Sequence, residues 1–458
     1  MHQTRLSPLC WPFKRTIVES EFMIVAARAS FVSGALRALL AIVLLATGIH
    51  VQARSGDLGL PGEVLVKLRT TKALEPLLER YQLSVLGQFG ARPIYRLKIP
   101  GQARMEDTIA ALLLESDVLL AEPNIVHSSP EARKNAVWAI GTAQAYATQW
   151  APAALRLPEA HRLATGAGVR VAVLDTGVDR RHPLLADRLL PGFDFVDYDD
   201  DPSEEGSEAN VGFGHGTHVA GLVAMVAPGA MIMPLRVLDA DGLGNAWVLA
   251  EALLYAIDPD GDPSTDDGAH VINLSLGTTT RTRIFDAVAQ LVTCTVPNDI
   301  DPVNDLSDPG YDADEQRCDQ MRSVIIVAAA GNNATDAERE YPAAESAHGL
   351  VAVGASGLGS RLATFSNYGS WVRVAAPGEA VTSSVPGGGY GTWSGTSMAA
   401  PLVAGTAALL RGIDHSLKPD DVIKRIASRS SALCGASLRQ IDAAAALVDA
   451  PPPATTCP

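Results

Sequence analysis

Three stretches of the chain, in the order Asp, His, Ser, carry the residue types that turn a hydroxyl into a nucleophile. Val171-Ala-Val-Leu-Asp175-Thr-Gly177 is an apolar run ending in a carboxylate and a turn. Gly214-His215-Gly-Thr-His218-Val-Ala-Gly221 sets an imidazole among glycines at the head of an apolar helical pattern. Gly395-Thr-Ser397-Met-Ala-Ala-Pro401 puts a hydroxyl at the start of a long apolar helix. Serine is a weak nucleophile until a base takes its proton, and the base needs a carboxylate to fix its tautomer. Each motif alone has a plainer reading: a strand-end turn for Asp175, a metal pair for His215 and His218, a helix cap for Ser397. The histidine pair lacks the third ligand that zinc expects. Ala399 breaks the G-x-S-x-G elbow of the α/β-hydrolases, whose serine also precedes the histidine. Together the three stretches point to acyl transfer. Gly331-Asn332 adds a side-chain amide that, with the backbone N–H of Ser397, would meet the negative oxygen of a tetrahedral intermediate.

The elements around these residues read as an α/β fold with a mostly parallel sheet and helices on both faces. From Gly168 onward, β-branched strands are expected at Val169–Leu174, Met231–Val237, Val271–Leu274, Val324–Ala329 and Leu350–Val353. Helices are expected at His215–Val226, Trp247–Ile257, Ile284–Leu291, Thr396–Arg411 and Pro419–Ser428. Continuous apolar strands are the pattern of a sheet covered on both sides, and ligands in such sheets sit beyond the carboxyl ends of the strands. Asp175 and Asn332 both fall there. A smaller α+β module precedes this body, with strands near Glu63–Leu68, Ile94–Ile99 and Asp117–Asn124 and helices over Ala73–Tyr81 and Met105–Glu115.

The 458 residues carry a net charge of −15, which argues against nucleic acid as a partner. That charge is uneven: residues 1–127 hold 14 basic and 11 acidic side chains, the remainder 22 and 40. Arg28 and Arg37 precede the apolar run Ala38–Ile49 and the small residues of Val51-Gln-Ala53, the layout of a secretory signal peptide. The run is short for a membrane span, so contact with a membrane is expected only through this leader, and translation starts at Met1 or Met23. Secretion or periplasmic export follows. Cys10 falls in the leader, and Cys294, Cys318, Cys434 and Cys457 allow three pairings; Cys294–Cys318 would clip an acidic insertion and Cys434–Cys457 would tie down the proline-rich tail.

The stretches at Asp175, His215–Gly221 and Gly395–Pro401 resemble the three signatures of subtilisin-like serine proteases over about residues 149–448. The resemblance implies Asp175 as orienting acid, His215 as general base, Ser397 as nucleophile and Asn332 as oxyanion donor. Residues 61–124, ending in Ala-Glu-Pro-Asn124, look like the inhibitor-type propeptide of that family. It implies Ser275, Leu276 and Gly277 as the strand that pairs with an extended substrate, and Ala329, Ala330 and Gly331 as a wall of the primary pocket. The expected organisation is a leader over 1–53, a propeptide over 57–127, a catalytic domain over 149–448 and a tail over 449–458. Protein or peptide substrates and the chain's own propeptide are the expected partners, and no cofactor is required. The chain departs from the pattern at Leu184, where a calcium-binding carboxylate is missing, and at Met225–Pro228, which lacks the usual calcium loop. No metal ligand is assigned, and weak calcium binding is left to acidic stretches at Asp194–Asp201, Asp258–Asp267 and Asp299–Asp314. The loops Ala329–Thr335 and Tyr341–Ala344 suggest an uncharged, open pocket and broad apolar specificity. A catalytically silent binding module is the alternative.

Overall fold

A computed structural model describes residues 59–90, 92–262, 264–294 and 323–457. The expected leader, the acidic stretch at Asp299–Asp314 and Cys318 lie outside the described residues. Residues 59–128 form β1 (Gly59–Leu68), α1 (Leu74–Tyr81), β2 (Ser84–Gln88), β3 (Ile94–Lys98), α2 (Met105–Leu112) and β4 (Val118–Ser128). The sheet order is β2-β3-β1-β4, antiparallel throughout. Sequence reading missed β2, whose Ser84, Val85 and Leu86 are exposed, so no buried alternation marks it. Alternate residues of β1 face opposite ways. Val64, Val66 and Leu68 pack under the module's own helices, while Leu65 joins the core of the larger body.

That body is built on a ten-stranded sheet. Its parallel centre comprises β5 (Arg170–Asp175), β6 (Met231–Arg236), β8 (Val271–Leu274), β9 (Ile325–Ala329), β10 (Leu350–Gly357) and β11 (Val374–Pro377), in the order β6-β5-β8-β9-β10-β11. A short strand, β7 (Leu243–Asn245), lies outside this path. The strand period of two divides the interior. Val171, Val173, Ile232, Val271 and Val327 point toward α3 (His215–Val226) and α6 (Thr396–Ile413). Ala172, Leu174, Leu235, Ile272 and Ile326 point toward α4 (Ala246–Ile257) and α5 (Arg283–Val292). Two cores on two faces require strands apolar at every position, which is how they read. The helix α6 is long and apolar enough to cross a membrane by composition, yet it is 89% buried against the sheet. Cys434 and Cys457 form a disulfide; Cys294 is disulfide-bonded as well.

The small module is seated by backbone pairing and helix capping. β4 runs on beside β7, with Val126 opposite Asn245 and Ser128 opposite Leu243. The Glu122 carboxylate accepts the N–H groups of Arg283 (2.9 Å) and Ile284 (3.0 Å) at the head of α5. Asn124 Oδ1 accepts the N–H of Trp247 at the head of α4 at 3.1 Å. These are donors that a helix start leaves without an internal partner. Phe89 stacks on Trp247 with centroids 4.0 Å apart. Replacing Glu122 by Ala should therefore destabilise the protein by about 1 kcal/mol, read as a lower urea midpoint at unchanged slope.

Candidate active site

The ends of β5, β8 and β9 and the starts of α3 and α6 converge on one volume. Asp175 is the last residue of β5, His215 the first of α3, and Ser397 the second of α6. His215 Nδ1 lies 2.7 Å from Asp175 Oδ1, and the same oxygen accepts the N–H of Thr176 at 2.8 Å. This pins the carboxylate, which orients the ring. Trp393 packs edge-on against His215, with centroids 5.3 Å apart. The Glu204 carboxylate accepts from the N–H of Gly214 and from both the N–H and hydroxyl of Thr217, so the entry to α3 is fixed. Burial pushes the Glu204 pKa up to about 7 despite those bonds.

Asn332 follows β9. Its Oδ1 accepts from the N–H and the hydroxyl of Thr396, at 2.9 and 3.0 Å, which aims Nδ2 at the front of α6. Ser275 Oγ donates to the Ser397 carbonyl at 2.9 Å, and Ser397 Oγ lies 3.3 Å from the Ser275 carbonyl. Gly331 N donates to Thr396 Oγ1 at 3.0 Å. The segments 275–277 and 329–331 therefore flank the serine on neighbouring strand ends. Leu276 and Ala329 send their side chains into the core and offer only backbone to the cleft. Asp175, His215, Ser397, Asn332 and the segments 275–277 and 329–331 are gathered here.

A residue not singled out occupies the centre. Glu131, on the segment after β4, is fully buried. Its Oε2 receives the Ser397 hydroxyl at 2.5 Å and lies 3.1 Å from His215 Nε2. Its Oε1 accepts from Asn332 Nδ2 at 2.7 Å. A Cβ on Gly395 would collide with this carboxylate, so the close approach depends on glycine. The segment is held on both sides. Ser128 and Gly277 exchange backbone hydrogen bonds at 3.0 and 2.9 Å, and Ser129 N donates to the Gly242 carbonyl at 3.1 Å. Further on, Trp393 Nε1 donates to the Ala136 carbonyl and Trp138 Nε1 to the Phe213 carbonyl. Ala139–Ile140 then adds a strand beside Gly389–Trp393. Nothing in the composition of Ser128-Ser-Pro-Glu131 signals this insertion.

The flanking pocket also differs from expectation. Between Gly277 and Gly331 lies the buried carboxylate of Glu340, ion-paired to Arg133. The pocket expected to be uncharged therefore holds an acid, one residue before the Tyr341–Ala344 loop named from the sequence. Of the acidic stretches, Asp194 and Asp197 are joined by Glu205 around the guanidinium of Arg236, at 2.5, 2.7 and 3.0 Å. One internal guanidinium already pairs with all three carboxylates and offsets part of their charge. Asp258, Asp260 and Asp267 lie close enough to share an ion; burial and then the neighbouring carboxylates push Asp258 up to about 6.

The model of the Subtilase family matches residues 166–442, and that of the Fervidolysin N-terminal prodomain matches residues 50–124. The chain belongs to the subtilase family. It is 36% identical over 299 residues to the thermophilic serine proteinase of Bacillus sp. (strain AK1), covering 63% of each chain. Thermitase of Thermoactinomyces vulgaris is 36% identical over 274 residues, covering 57% of this chain and 81% of that one. The crystal structure of fervidolysin from Fervidobacterium pennivorans, described as a keratinolytic enzyme related to subtilisin, superposes with a TM-score of 0.67. That likeness, at 24% identity over 85% of this chain and 61% of that one, concerns the fold.

The charges at the centre are mutually dependent. Burial opposes a proton on His215, but Asp175 and then Glu131 outweigh it and push its pKa up to about 10. Burial likewise raises Glu131, but hydrogen bonds from His215, Ser397 and Asn332 hold it below the usual carboxylate value. The contribution of His215 to stability is complete below its unfolded value and is lost as pH rises through about 10. That of Glu131 is present above its unfolded value and lost in acid. In a Ser397→Ala precursor, the His215 ring followed by NMR should keep its proton to about pH 10. Glu131→Gln should lower that midpoint.

Proposed function

We propose that this chain is the self-blocked precursor of a secreted serine endopeptidase, released by cutting its own linker. The observation that carries the reading is the convergence of His215, Ser397 and Asn332 on one carboxylate. The Glu131 carboxylate stands in for parts of a reacting peptide: Oε1 for the developing oxyanion, Oε2 for the leaving nitrogen, or the attacking water, between nucleophile and base. A site that stabilises a transient negative oxygen must present fixed donors in a water-poor volume, and this one does.

With Glu131 withdrawn, the steps are those of acyl transfer. Ser397 Oγ forms a bond to the peptide carbonyl carbon while His215 Nε2 takes its proton and Asp175 stabilises the imidazolium. Asn332 Nδ2 and the Ser397 N–H hold the oxyanion. Collapse breaks the C–N bond, and His215 returns the proton to the leaving amine. Water then attacks the ester, giving its proton to His215, and the acid product leaves as Ser397 is reprotonated. An extended substrate would pair with Gly277 as Ser128 does. The leader composition and the Cys434–Cys457 disulfide support export to an oxidising compartment. Residues 57–127 serve in this reading as folding template and inhibitor.

The matured protein should hydrolyse casein and be labelled at Ser397 by a fluorophosphonate, and Ser397→Ala should do neither. Casein hydrolysis surviving in that variant would refute the assignment. In the precursor, Glu131→Ala should speed both self-processing and fluorophosphonate labelling by roughly tenfold or more, since charge-assisted hydrogen bonds then vanish. A gel time course reads both rates.

A further inference from the structure

The space between the two segments that flank Ser397 is occupied by a charged side chain, Glu340. Glu340 is 0% exposed, and backbone bonds hold it in place: Tyr341 and Thr278 exchange hydrogen bonds at 2.7 and 2.8 Å, and Ala344 N donates to the Glu340 carbonyl at 2.8 Å. A Cβ built on Gly277 would stand 2.5 Å from Glu340 Oε1, and one on Gly331 would stand 2.9 Å from Oε2. The carboxylate thus lies between the two segments that flank the serine, where a residue whose carbonyl is held by Asn332 and Ser397 would send its side chain. Oε1 is paired to the guanidinium of Arg133, and Oε2 has no hydrogen-bond partner. Arg133 belongs to the linker that also carries Glu131, so the pairing lasts only while the linker stays. A buried carboxylate without a counter-charge is costly, and burial already pushes Glu340 above its usual value, with Glu338 and Glu131 adding to that effect and Arg133 opposing it.

We propose that Glu340 sets the primary specificity, so that the mature enzyme cleaves after arginine and lysine, and that Arg133 holds this pocket in the precursor as a substrate side chain would. The assignment rests on the protease reading above. A guanidinium suits the site best because it offers paired donors to both oxygens, of which one is now unmet. An apolar side chain there would bury the acid without a partner.

The test is kcat/KM of the matured wild-type protein on fluorogenic peptides that differ only in the residue before the scissile bond: Arg, Lys, Leu, Phe or Glu. Arg and Lys should exceed Leu and Phe by about 10- to 100-fold, with Glu the poorest. Glu340→Gln should collapse the Arg-to-Leu ratio toward unity, and Glu340→Asp should restore part of it. Benzamidine should inhibit the wild type competitively, which gives a reading even if the variants fail to mature. Equal or better cleavage after Leu or Phe by the wild type would overturn the assignment, as would an unchanged ratio in Glu340→Gln. Failure to cut any of the five peptides would instead count against the protease reading itself.

Discussion

A buried volume into which an imidazole, a hydroxyl and an amide all point favours something negative at its centre. Each of the three groups has been desolvated by the fold, and each has a partner behind it that fixes its direction. Asp175 stands behind His215, the Ser275 carbonyl beside Ser397, and Thr396 behind Asn332. Such donors cannot turn away to satisfy one another, so they attract whichever anion can reach them. In this structure that anion is Glu131, tethered to the chain. In the proposed reaction it would be an oxyanion that exists briefly. One electrostatic arrangement accounts for both the block and the chemistry, because preorganised donors do not distinguish the origin of the charge.

The scaffold supplies this arrangement by placing strand ends and helix starts together. Parallel strands bring Asp175, Ser275 and Gly331 to one edge of the sheet. The helices α3 and α6 begin at that edge, so their positive ends face the cleft, with the first-turn N–H groups of Gly216 and Thr217 taken by Thr176 and Glu204 and that of Thr396 by Asn332. Helices on opposite faces then press the strands from both sides, which restricts movement of the ends. The small module uses the same feature from outside: Glu122 and Asn124 cap α5 and α4. A negative or carbonyl-like oxygen at a helix start is the recurring contact, at the module's seat and at the reaction centre alike.

Much of this was legible in the sequence, for reasons that can be separated. Val271–Leu274 as a strand and His215–Val226 and Pro419–Ser428 as helices match the observed bounds, because unbroken apolar runs and clear periodicity mark them. The glycines and small residues around Asp175, His215 and Ser397 betray side chains held at tight turns, so those positions announce themselves. The strand β2 was missed because its outward residues are exposed and carry no alternation. Glu131 and Glu340 were missed for a different reason. Each is an ordinary acidic residue in a loop, and its role comes only from which distant segment folds over it, 266 residues away for Glu131 and Ser397. Local pattern holds no information about that separation.

The linker's grip also depends on its connections more than on either contact. Glu131 and Arg133 flank Ala132 and engage the reaction centre and its pocket together. Upstream, β4 is already paired with β7, and downstream Ala139–Ile140 is paired with Gly389–Trp393. Both acidic and basic side chains are therefore presented at high effective concentration, and the entropy of bringing them in is met by the two flanking strands. A free peptide carrying the same residues has no such help. In the proposed maturation, cutting the linker would remove one anchor, lower the effective concentration and weaken the contacts that block the site. The same donors and the same Glu340 carboxylate would then meet passing chains, so in this proposal latency and turnover differ by a tether and not by a rebuilt site.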